Sequence, residues 1–153
     1  SRTSAEQILN EIRATSARRI AADCLERRLR TEDWLISERT KKLGHTKLHR
    51  PVYFFLGDFA DGKDLSRPAS LVMPLVAFDD QTITFTLQDS MYTYSQKHTH
   101  LGQVLTLSEL KVTISRMGEA AFEKKQDMAG DSFVEVQVWD DAPIQAWLKA
   151  PDG

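Results

Sequence analysis

Apolar and polar positions alternate most cleanly in two stretches of the chain. Between 82 and 87, Ile83, Phe85 and Leu87 fall on one side and Thr82, Thr84 and Thr86 on the other. Between 133 and 139, Val134, Val136 and Val138 alternate with Phe133, Glu135, Gln137 and Trp139. A period of two is the side-chain repeat of a strand, so both segments predict strands with one face on a core. The valines claim the core face, which leaves Glu135 on the other. The continuous apolar run Val52-Tyr53-Phe54-Phe55-Leu56, opened by Pro51, predicts a buried strand. Residues 70–78 carry similar apolar weight, with Pro74 suiting an edge or a bulge.

The remaining apolar positions recur at helical spacing. Ile20, Cys24, Leu25 and Leu29 form one stripe. The region before them fits one long helix from residue 4. It fits equally a short strand from Ile8 to Ala14 followed by a helix over 17–29. Thr31-Glu32-Asp33 has the composition of a second helix start, with Trp34, Leu35 and Ile36 turned inward and Gly44 as the stop. Leu107 to Met117 predicts a helix capped by Thr106 or Ser108 and closed by Gly118. Pro143 opens a short terminal helix containing Ile144, Trp147 and Leu148. Residues 57–68 and 89–102 read as loops, the latter ordered by its aromatic residues. The expected class is α+β: a mostly antiparallel central sheet split around a cleft, with N-terminal helices packed against it.

Length and composition narrow this picture. A chain of 153 residues suits a single domain over 1–153, and a hydrophobic fraction of 41% can fill a core. Twenty Lys and Arg against 22 Asp and Glu leave a net charge of −2, which points to neither a nucleic-acid nor a membrane partner. The basic segments Arg27-Arg28-x-Arg30, 39–42 and 47–50 are interleaved with Glu26, Glu32 and Glu38, the pattern of a solvated, salt-bridged helix face. Cys24 stands alone, so no internal disulfide forms. Its place on the apolar stripe predicts a buried, inert thiol. No apolar run approaches the roughly 18 residues of a spanning helix, and the first residues lack a signal-peptide core. The expectation is a cytoplasmic protein without a membrane partner.

Candidate chemistry is sparse. Glu135 sits mid-strand, where Glu is a poor strand former. It is either part of a solvated sheet face or a carboxylate in a cleft beside an aromatic ring. His98-x-His100 could seat a metal, but no second His pair or Cys is placed to complete the site, so exposed loop histidines are expected. No Gly-rich nucleotide loop, nucleophile elbow or zinc-protease motif is present.

Four segments, in order, resemble ADP-ribosyltransferases, and particularly the bacterial DarT-type toxins. Ile12-Arg13-Ala14-Thr15-Ser16-Ala17, followed by Ile20 and Leu25 to Leu29, is similar to that family's first core strand and helix. Arg50-Pro51-Val52-Tyr53-Phe54-Phe55 resembles its next strand. Leu71 to Ala77 and Ile83 to Leu87 resemble its middle strands. Phe133-Val134-Glu135-Val136-Gln137-Val138, then Ala142-Pro143-Ile144, resembles its last strand and the helix that follows. The start departs from the family's His-x-Thr pattern, reading Arg-x-Thr-Ser. The resemblance implies NAD as substrate, held by Arg13, Thr15 and Ser16, with Tyr53 or Phe55 stacked on nicotinamide and Glu135 as the catalytic carboxylate. It implies transfer of ADP-ribose to a nucleic acid or protein acceptor, by a bacterial toxin or defence factor with a neutralising partner protein. The competing expectation is a non-catalytic interaction or regulatory domain anchored through Trp34, Trp139 or Trp147.

Overall fold

The computed structural model describes residues 24–57, 71–119, 122 and 134–150. Helix α1 spans Cys24–Leu43 as one uninterrupted element. Thr31 lies inside it rather than at a second start, because its hydroxyl donates back to the carbonyl of Arg27 at 2.9 Å. Glu26 in the first turn and Lys41 and Lys42 in the last complement the helix dipole. Gly44, at φ 72°, ends the helix in the left-handed region, and its N–H closes onto the carbonyl of Thr40.

Three strands form one antiparallel sheet: β1 (Val52–Phe55), β2 (Ile83–Thr86) and β3 (Glu135–Val138), with β3 in the centre. Val52 and Ile83 both stand opposite Val138, while Phe55 and Thr86 both stand opposite Glu135. Residues 71–78 do not join this sheet, contrary to the strand expected there. Leu71, Met73 and Leu75 pack on the core, but Leu75–Ala77 is a 3-10 turn and Pro74 has no N–H to give a ladder. Residues 89–102 are likewise more ordered than a loop. Helix α2 (Ser90–Ser95) forms there, capped by the Asp89 side chain, which accepts from the N–H groups of Met91 and Tyr92. Beyond it the chain folds back so tightly that a Cβ on Gly102 would lie 2.1 Å from the carbonyl oxygen of Gln96.

Helix α3 (Leu107–Met117) opens with a capping box between Thr106 and Glu109 and closes at Gly118. Helix α4 (Ala142–Lys149) begins with Pro143 in its first turn. The class is therefore α+β. One sheet face carries the main core: Ile83, Phe85, Val134, Val136 and Val138 against Leu105, Leu110, Phe122 and Ile144. The other face lies under α1, where Leu35 packs with Trp139 and Val104. None of the described helices is long and apolar enough to cross a membrane.

Candidate functional site

Both faces of β3 are buried. The alternation that sends its valines into the core sends Glu135, Gln137 and Trp139 under α1, beside Thr84 and Thr86 of β2 and Tyr53 of β1. Glu135 is 2% exposed, so it is not part of a solvated face. One carboxylate oxygen, Oε2, accepts the backbone N–H of Ser90 at 3.2 Å; the other, Oε1, accepts from Nε2 of Gln137 at 3.0 Å. The Ser90 hydroxyl also favours the charged form of this carboxylate. Among the described residues Glu135 belongs to no ion pair. Burial pushes its carboxyl above the usual range, and nearby Asp89 pushes the same way. The donors on Ser90 and Gln137 hold it back.

A cation reaches this carboxylate through one intermediary. Nη1 of Arg28 donates to the Ser90 hydroxyl at 3.3 Å, and the guanidinium lies 4.9 Å from the centre of the Tyr53 ring. The Tyr53 hydroxyl donates to Glu32 at 3.2 Å, and Glu32 pairs in turn with Arg50. The phenol is held well above its ordinary titration range. Burial is the main cause and the Glu32 charge the next, while Arg28 works the other way. Phe55, across from Glu135 in register, is 46% exposed.

Glu135, Tyr53 and Phe55 thus share one face of the sheet. Arg13, Thr15 and Ser16 lie outside the described residues. Arg28, Ser90, Gln137 and Glu32 were not singled out from the sequence for this site. A signal existed for Gln137, which follows Glu135 by two on the same strand face, and for Ser90, which follows the capping Asp89. Arg28 carried none, since it sits within a run of basic residues.

Other expected features fall elsewhere. Trp139 is fully buried and cannot anchor a partner, because its ring lies under the Arg39 guanidinium at 4.6 Å. Trp34 packs edge-on against Tyr94, while Trp147 stays 44% exposed. Cys24 is only partly buried, at the first turn of α1, so the expected core thiol is not observed. His98 and His100 are exposed, and no cluster of three metal-ligating side chains occurs among the described residues. The expected salt-bridged face of α1 is present where Arg30 pairs with Glu26 and Lys41 with Glu38, while Arg39 departs from it by being buried. A surface depression of about 380 Å³ lies beyond the opposite end of β3, lined by residues including His45, Lys47, Thr82 and Asp140, and it does not include Glu135.

Comparison of the chain with protein-family models, with characterised proteins and with solved structures finds no match.

Proposed function

We propose that this domain takes NAD as substrate and transfers ADP-ribose to a nucleic acid or protein acceptor, with Glu135 as the catalytic carboxylate. The proposal extends to a cytoplasmic toxin or defence setting with a neutralising partner protein. The observation that carries the reading is a buried carboxylate on a central strand, linked through Ser90 to a guanidinium stacked on an aromatic ring. Burying a charge is costly unless it is hydrogen-bonded, and carboxylates raised above their usual range by burial concentrate at functional sites.

The donor set fits the substrate. Tyr53 and Phe55 offer ring surfaces to nicotinamide, and Arg28 offers a planar donor fork to a phosphate or ribose oxygen. Among the described residues Arg28 takes the part that the resemblance assigns to Arg13. NAD supplies an activated bond between ribose and nicotinamide. Glu135 places fixed negative charge where positive charge develops on the ribosyl carbon as that bond breaks. To accept a ribose hydroxyl, or to take the proton that the acceptor loses on attack, Glu135 has to exchange its Ser90 donor for substrate, because it is 2% exposed and both of its oxygens are bonded.

Nicotinamide release from NAD, with and without acceptor, tests this reading. The wild type should release nicotinamide, and Glu135→Gln should be slower by roughly a hundredfold to a thousandfold, because an amide supplies no charge. Circular dichroism should show the variant folded. Full activity in that variant, or no NAD binding by the wild type, overturns the proposal.

A further inference from the structure

The polar layer beneath α1 has a direction. An indole N–H can only donate, and Trp139 Nε1 donates to the Thr84 hydroxyl at 2.9 Å. Thr84 then sends its own proton to Gln137 Oε1 at 2.9 Å. That leaves the Gln137 amide nitrogen facing the other way, where it donates to Glu135 Oε1 at 3.0 Å and Thr86 Oγ1 at 3.1 Å. Thr86 is free to accept because its own proton goes to the carbonyl of Gln88 at 2.7 Å. Turning the amide over would set its oxygen against the Glu135 carboxylate and against a hydroxyl whose proton is already committed. It would also leave Thr84 without an acceptor. The amide orientation is therefore locked from both ends.

We propose that Trp139, Thr84 and Gln137 form a one-way hydrogen-bond relay that holds Glu135 as an acceptor-only carboxylate. Gln137 is its positioning residue, so Glu135 acts as an anion rather than as a proton donor. Only the link to reaction rests on the transferase reading; the relay itself stands on geometry. Trp139, Thr84, Gln137, Thr86 and Glu135 are each at most 2% exposed, so water does not compete for these bonds. Arg39 lies over the Trp139 ring at the head of the relay, as Arg28 lies behind Ser90 at its end. Among the described residues the charged and titratable groups around Glu135 are Asp89 at the start of α2, Arg28 on α1 through Ser90, and Tyr53 on β1 with Glu32 beyond it. Asp89 opposes ionisation of Glu135, and the donors from Gln137 and Ser90 favour it.

The test follows the carboxyl carbon-13 resonance of Glu135 through a pH titration of the whole chain. Thr84→Val keeps the shape of the side chain and removes the link, so the midpoint should move upward. Thr84→Ser keeps the hydroxyl and should restore the wild-type midpoint. Trp139→Phe removes only the first donor and should give a smaller upward move. A folded Thr84→Val protein with an unchanged midpoint overturns the relay. If that variant fails to fold, an unchanged midpoint in Trp139→Phe does the same. Where nicotinamide release is measurable, the acid limb of its rate profile should move with the midpoint. A moving midpoint in a protein without transferase activity supports the relay and removes the transferase reading. An unmoved midpoint beside activity that depends on Glu135 overturns the relay alone.

Discussion

Val134, Val136 and Val138 on one face of β3, and Glu135, Gln137 and Trp139 on the other, are all at most 4% exposed. The two faces are equally dry and chemically opposite. Dispersion and water exclusion hold the valine face, and neither depends strongly on direction. The glutamate face is held by bonds that each need a donor matched to an acceptor. Cohesion therefore belongs to one face and orientation to the other. The difference shows why burial alone says little about what a strand is for.

The largest expected effect lies on the apolar face. Phe85→Ala empties the middle of the main core and should cost about 3–5 kcal/mol in urea unfolding. A loss below about 1 kcal/mol would mean that this face is not the principal source of cohesion. Next comes Gln137→Leu, which conserves bulk but strands the Thr84 hydroxyl and one oxygen of Glu135. It should cost about 1–3 kcal/mol, the usual penalty for buried polar groups left without partners. A neutral result would erase the contrast between the faces, since shape alone would then suffice on both.

The smallest effect is in pH dependence. The folded carboxyl of Glu135 titrates above its unfolded value because burial disfavours the charge. Its contribution to stability is therefore fully present below the unfolded carboxylate range, near pH 4.3, and is lost as pH rises through the folded value. Glu135→Gln should flatten that part of the stability profile, which begins above the unfolded carboxylate range and runs upward from there. Parallel profiles for the two proteins would show that Glu135 titrates as it does in the unfolded chain.

The sequence made the strands legible and misjudged their surroundings. Strict alternation over 82–87 and 133–139 located β2 and β3, and the same alternation placed Glu135 opposite the valines. It could not show that α1 covers that second face, because Leu35 and Arg39 reach Trp139 across distant parts of the chain. Residues 71–77 preserve the alternation in their burial, with Leu71, Met73 and Leu75 inward and Val72 and Val76 outward. They still make no ladder: side-chain periodicity reports which way residues face, not whether a neighbouring strand is there to bond. The polar layer was half visible. Thr84, Thr86 and Gln137 stood in the right phase, but nothing local marked Arg28 or Ser90 as neighbours of Glu135.

The strand order β1-β3-β2 also sets a schedule. The two outer strands come first along the chain and do not pair with each other; both wait for β3, which follows β2, α2 and α3. A ribosome making this protein therefore releases two strand segments well before the one that joins them. Sheets closed by such distant partners form slowly, because the intervening chain must be gathered before any bond rewards it. During that interval the aromatic segment Val52 to Phe55 and the alternating segment Ile83 to Thr86 lack their central partner, and unpaired strand edges of this kind favour association between copies. Emergence of β3 closes both at once, and in the same step delivers Glu135 beneath α1.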